Sequence, residues 1–302
     1  MKTRYSSFVA IAVTVLTSLN GFGQSEKISL RKIPQPNQTV RMKMVQETDM
    51  DMTMEGMPAA ASMGPMKVLM KSVTMMTQKN GPADAQGNIL AEVSIDEAST
   101  DSKTSMNGQA MPAPPTPPNP LLGQKFTMTF DKQGNIVDTK FPTIAGLSED
   151  NFKQIMKSFY GNLPSTPIGI GETATAPVDF AIPLPVAGAG QMKLDGQVQY
   201  KLISLEKDGN DRIATVTTGI NGRVSTDIDL PGPNGARMKM SVDIKMDGGG
   251  TSLSNLDKGV LKSSESKSTF GGPIRMSGGP NGLPLPNMTI QGNMRITLTG
   301  EN

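Results

Sequence analysis

The stretch from Val40 to Met54, VRMKMVQETDMDMTM, decides the fold. Its even positions are mostly apolar, as at Met44 and Met52, and most of its odd positions are charged. Because successive side chains of a β-strand point to opposite faces, this alternation predicts one long strand with a dry face and a wet face. Such a strand would span about 50 Å, at about 3.4 Å per residue, which indicates a large, strongly curved sheet.

The same alternation returns at 126–130, 238–246 and 288–298. Weaker patterns, bounded by Gly, Asn or Asp turns, predict further strands at 66–78, 88–96, 134–141, 191–206, 211–220, 223–230 and 259–270. The run Gly248-Gly249-Gly250 after a strand is interpreted as a turn or bulge. Hairpins therefore connect most of the predicted strands.

One amphipathic helix is predicted near 148–160. Ser148 can cap its start, Gly161 can end it, and its apolar residues recur at helical spacing, namely Phe152, Ile155, Met156, Phe159 and Tyr160. The helix would either plug one open end of the sheet or cover a cavity. The predicted fold class is mainly β with one major α-helix, built on a long-stranded, strongly curved antiparallel sheet or half-barrel.

Residues 1–23 have the features of a secretory signal. Lys2 and Arg4 precede the apolar stretch 8–19, and small residues before Gln24 suit cleavage there. We therefore expect an exported, periplasmic or extracellular protein that is soluble after cleavage. Residues 24–302 would form a single β-rich domain; weak internal repeats also allow two similar halves, about 38–145 and 165–302, joined by the helix.

The amino-acid composition argues against several classes of function. The chain has neither Cys nor His, which excludes thiolate and imidazole catalysis and the usual zinc sites. Without the signal, 27 basic residues balance 27 acidic ones, and no basic run offers a surface to nucleic acid. Aromatic residues make up 4%, which argues against an integral membrane barrel with aromatic girdles. We expect a protein that is not an enzyme and uses no cofactor.

Methionine is the one unusual component, since 11 of the 23 lie between Met42 and Met76. Unbranched thioether side chains adapt to ligands of variable shape, so an interior lined by them suits a lipid or another apolar ligand. The alternatives are a filled core in a structural or protein-binding module, and Cu(I) held by Met54, Met57, Met63 and Met66. The proposed lining comprises Met42, Met44, Met50, Met52, Met54, Phe126, Met128, Met238 and Met240, closed by Phe152, Ile155, Met156 and Phe159.

Four stretches together resemble an uncharacterised family of exported bacterial proteins. They are MKMVQETDMDMTM at 42–54, FDKQGNIVDTKF at 130–141, NLPSTPIGIGETAT at 162–175 and LDKGVLKSSESKSTF at 256–270. That family is similar in plan to the lipoprotein-carrier (LolA-like) half-barrels. The resemblance implies a long curved antiparallel sheet around helices and an apolar cavity, without a catalytic signature.

Overall fold

The computed structural model describes residues 26–31, 33–55, 64–111, 122–142, 163–164, 166–183, 191–231, 237–278 and 287–301. The predicted signal segment and the predicted helix at 148–160 lie outside these ranges. Within them, every strand belongs to one antiparallel sheet, which confirms the mainly β, long-stranded fold class. The described residues contain no apolar helix of the length that a membrane crossing requires.

Most strands of the sheet are far longer than usual, several of them exceeding 15 residues. In chain order they are β1 (Thr39–Glu55), β2 (Met66–Ala83), β3 (Ile89–Met106), β4 (Gln109–Met111), β5 (Lys125–Phe130), β6 (Ile136–Lys140), β7 (Thr173–Pro183), β8 (Gln191–Asp208), β9 (Asp211–Pro231), β10 (Arg237–Asn255), β11 (Val260–Ser277) and β12 (Asn287–Glu301).

The first long strand lies in the middle of the sheet rather than at its edge. The strand order is β6-β5-β3-β2-β1-β12-β11-β10-β9-β8-β7, and β4 pairs with β3 beside this path. Each half is a succession of hairpins, and the ladder between β1 and β12 joins the halves. The described parts of both halves therefore share one sheet.

Several predicted strand bounds and one predicted turn differ from the structure. β3 extends to Met106 and β11 to Ser277, both past their predicted ends, and β7 lies where no strand was predicted. The separate strands expected at 211–220 and 223–230 are one strand, β9. The interpretation of Gly248-Gly249-Gly250 as a turn or bulge is wrong, because the three glycines lie inside β10 in unbroken register with β9 and β11. A Cβ atom on Gly248 would lie 2.5 Å from the Lys267 carbonyl oxygen, so close approach of the neighbouring strand explains the glycine.

One end of the sheet is made of tight turns, two of which share a sequence pattern. DAQGN at 84–88 joins β2 to β3, and DKQGN at 131–135 joins β5 to β6. In each turn the first Asp accepts hydrogen bonds from two backbone N–H groups and from the side chain of the final Asn. Gly87 and Gly134 have φ values of 83° and 79°, which favour glycine. We call this the turn end of the sheet.

The N-terminal segment 26–38 shows that the sheet curves at the turn end. Leu30 packs against a cluster that includes Val216 of β9, while the next residue, Arg31, donates a hydrogen bond to Asn135 beside β6. In a flat sheet β5 and β9 would be seven strand spacings apart, about 34 Å. One residue and its side chain reach about 10 Å. The sheet must therefore wrap around segment 26–38.

Candidate functional site

The strand register places the even-numbered residues of β1 on one face of the sheet together with their neighbours. Met52 lies opposite Met66 of β2 and Ile290 of β12, and Met44 lies opposite Leu298. Residues that are directly opposite in an antiparallel ladder share a face. We call this side the inner face, because segment 26–38 packs on it through Ile28 and Leu30.

Two buried clusters occupy the inner face toward the turn end. One contains Ile28, Ile168, Leu202, Ala214 and Val216. The other contains Ala91, Val93, Phe126, Met128 and Phe130, with the rings of Phe126 and Phe141 stacked 4.9 Å apart. Apolar side chains therefore cover much of the inner face close to the tight turns.

The residues predicted to line a ligand cavity fall into a buried group, a half-buried group and a group outside the described residues. Phe126 and Met128 are buried in the second cluster and belong to the core. The half-buried group shares the inner face farther along the strands and comprises Met42, Met44, Met50, Met52, Met54, Met238 and Met240. The residues proposed to close the lining, Phe152, Ile155, Met156 and Phe159, lie outside the described residues.

The inner positions of the central strands carry no charge in the described part of the chain. In β1, β2 and β12 these positions run from Val40 to Met54, from Met66 to Gln78 and from Met288 to Gly300, taking even numbers only. Hydroxyl and amide groups interrupt the apolar surface, and the hydroxyls of Ser72 and Thr100 are 3.1 Å apart. We call this continuous uncharged area the methionine face.

The opposite, outer face carries the charges, and they pair across strands. Lys71 Nζ lies 3.0 Å from Glu47 Oε1, and Arg223 Nε lies 2.7 Å from Asp243 Oδ1. The side-chain hydrogen bond from Arg223 lowers the pKa of the Asp243 carboxyl. A groove of about 830 Å³ is lined in part by Glu47, Lys71 and Arg295. Because the side chains of such pairs are exposed, each pair adds little stability.

A smaller cavity, of about 290 Å³, lies at the turn end between segment 26–35 and strands β9 and β10. Ile28, Leu30 and Val216 line it, together with Arg31. The Nη1 of Arg31 donates a hydrogen bond to Asn135 Oδ1. The buried Nε of Arg31 has no hydrogen-bond partner among the described residues. Sequence reasoning missed this site, since it gave segment 24–38 no structural role.

The structure describes only half of the copper ligand set that the sequence suggested. Met54 and Met66 lie on the inner face of neighbouring strands, whereas Met57 and Met63 are outside the described residues. Among the described residues no group of three or more Asp or Glu is arranged to hold a metal ion.

No protein-family model matches the chain, and no curated protein matches it. Among solved structures, it is similar to lipovitellin, solved to describe its lipid–protein interactions, at 11% identity and a TM-score of 0.43. That match covers 89% of this chain and 25% of the lipovitellin chain, so this chain spans about a quarter of its length. Pseudomonas aeruginosa OccK7 (OpdD) matches at 8% identity and a TM-score of 0.22, over 87% of this chain and 99% of that one. Overlaps this low do not establish a common function.

Proposed function

We propose that the protein is an exported, non-enzymatic binding protein that holds an apolar ligand, such as a lipid acyl chain, against the methionine face. The observation that carries this proposal is the in-register, uncharged surface of half-buried methionines across β12, β1 and β2. Burial of acyl methylenes contributes about 0.8 kcal/mol each, so such a surface binds a chain without any special polar group. Flexible methionine side chains repack around chains of different shape.

The described polar groups fit binding better than catalysis. Acidic side chains such as Asp49 and Asp243 lie on the outer face in ion pairs with Lys67 and Arg223. A catalytic carboxyl with a raised pKa needs burial or a like charge beside it. Asp243 meets neither condition, since the hydrogen bond from Arg223 lowers the pKa of its carboxyl.

Uptake of the uncharged dye N-phenyl-1-naphthylamine by delipidated protein tests the proposal. We expect saturable binding that Met52→Lys weakens, because a lysine on the methionine face opposes burial of apolar groups. Thr53→Lys is the matched control, since Thr53 is the next residue of β1 and is exposed on the outer face. Its binding should equal that of the unmodified protein.

Two outcomes would contradict apolar binding. Folded wild-type protein that takes up no dye and yields no lipid on organic extraction would favour a filled structural or protein-binding module. Equal weakening by Met52→Lys and Thr53→Lys, with unchanged circular dichroism, would place the bound dye away from the methionine face.

Mass spectrometry of the exported protein tests the export proposal through a mature N-terminus at or near Gln24.

A further inference from the structure

The geometry points to a carboxylate-binding position at Arg31. We propose that the ligand is a carboxylate-bearing amphiphile whose head group binds the Arg31 guanidinium at the turn end, while its chain runs onto the methionine face. The position of the chain rests on the proposed function, whereas the position of the head group rests on the 290 Å³ cavity and its lining.

The Arg31 side chain is held in place, but one of its hydrogen-bond donors has no partner among the described residues. Its Nη1 is fixed by Asn135, and its buried Nε has no hydrogen-bond partner among the described residues. A buried N–H donor without a partner costs free energy, and the cost is larger for a charged group. Because neighbouring atoms cover Nε, the Arg31 side chain must shift toward the cavity for a ligand acceptor to reach it and remove that cost.

Neighbouring cations at the turn end already have partners. Arg212 donates to Asp257 and to Glu26 at distances of 2.6 Å, and Lys27 lies 3.0 Å from Glu172. Arg31 thus differs from these two neighbours in having a buried Nε without a hydrogen-bond partner among the described residues.

Asp131, an acid close enough to interact with the charge of Arg31, accepts hydrogen bonds from its own turn. Asp131 feels the charge of Arg31, yet its carboxylate oxygens accept hydrogen bonds from Gln133 and from Asn135. It therefore holds the turn in shape and leaves the Nε of Arg31 without an acceptor.

A carboxylate fits this donor better than other head groups. The planar guanidinium presents parallel N–H groups that match the two oxygens of a carboxylate, and such charge-assisted hydrogen bonds are strong. A volume of about 290 Å³ is near the lower limit of ligand cavities. It holds a small head group and the first methylenes against Ile28, Leu30 and Val216 rather than a whole lipid.

The inner face offers a continuous path for the rest of the chain. Val216 is followed on the same face of β9 by Thr218, which lies opposite Gly250 of β10. From Gly250 the same face crosses β11 at Ser266 and reaches the methionine face at Ile296 of β12. Ligand orientation is then fixed by charge: the anionic head lies at Arg31, and the apolar chain lies on the uncharged strands.

Displacement of the same dye by dodecanoate and by dodecan-1-ol, at equal chain length and neutral pH, tests the head-group position. We expect dodecanoate to bind about tenfold more tightly than the alcohol, the scale of a charge-assisted hydrogen bond. Arg31→Gln should bring dodecanoate to the affinity of the alcohol and leave the alcohol unchanged. Lys262→Gln, which removes a cation outside the cavity lining that is in an exposed ion pair with Asp208, should change neither affinity.

The outcomes separate the two proposals. Equal affinities of the acid and the alcohol for the wild-type protein would overturn the Arg31 position while the apolar site stands. Failure of both compounds, and of the dye, to bind would contradict the proposed function itself. The wild-type comparison needs no variant, so it decides the question even if Arg31→Gln does not fold.

Discussion

The ring of Phe270 occupies the space above Gly292, its direct neighbour across the ladder between β11 and β12. A Cβ atom on Gly292 would lie 2.5 Å from Cζ of Phe270 and 2.7 Å from the carbonyl oxygen of Asp49. The aromatic ring thus covers a position of the inner face where no side chain fits. Glycine inside a long strand here serves close packing rather than flexibility.

Gly292→Ala should destabilise the protein by about 1–3 kcal/mol, because the new methyl group overlaps both the Phe270 ring and the β1 backbone. Chemical unfolding in urea measures the change. Gly219→Ala is the control: it is also within a strand, but its Cβ would meet no atom within 4 Å. Equal destabilisation by the two substitutions would contradict the packing argument.

Ile28→Ala should cost about 2–5 kcal/mol, since Ile28 is 4% exposed and joins segment 26–38 to the cluster around Leu202. Ile33→Ala, on the same segment but 42% exposed, should change stability by less than about 0.5 kcal/mol. Thermal and urea unfolding of the two variants provide the comparison. A small effect at Ile28 would show that the segment is not needed to hold the curved sheet.

Acid should weaken the turn at 84–88. The Asn88 backbone N–H, helped by the Asn88 side chain and Gln86, lowers the pKa of the Asp84 carboxyl. Because the pKa is lower in the folded state, the stabilisation is present above the unfolded value of about 3.9 and is lost as the pH falls through the lowered pKa.

The comparison of wild type with Asp84→Asn in urea between pH 2 and 6 tests this linkage. The difference in unfolding free energy should be largest above about pH 4 and shrink in more acidic solution. A difference that stays constant over this range would show that the carboxylate charge does not hold the turn.

Met52→Leu and Met54→Leu should each cost under about 1.5 kcal/mol and preserve dye binding, because leucine conserves volume and apolar character. Unfolding and dye titration measure both properties.

Titration with Cu(I) under reducing conditions separates packing from coordination. Stoichiometric uptake by the wild type that is lost in Met54→Leu would favour the thioether metal site over the apolar one.

The long strands could be predicted because their signal is local. In β1 the alternation of Met44, Met50 and Met52 with charged residues fixes the face of each side chain, and the ladders with β2 and β12 confirm the shared face. The run at Gly248–Gly250 could not be interpreted this way. These glycines suit the interior of β10 because the Lys267 carbonyl oxygen of β11 lies close to Gly248. A local sequence pattern carries no information about that contact between strands.

The turn-end cavity could not be predicted from the sequence either. Arg31 and Asn135 are 104 positions apart, and the Nε of Arg31 becomes buried only because the curved sheet brings β9 and the β5–β6 turn to one segment. From the sequence alone, Arg31 is an ordinary basic residue. Its environment is a property of the assembled sheet.

The ladder between β1 and β12 pairs Arg41 with Glu301, and we expect this distant pairing to form late in folding. Each half can form early as neighbouring hairpins, whereas this joint waits for residues about 250 positions apart, and such distant pairing is slow. Until β12 arrives, β1 and β11 present long unpaired edges that can recruit other chains. We therefore expect a newly made molecule to be most prone to aggregate just before its last strand is placed, and shortening the chain at β12 should prolong that interval.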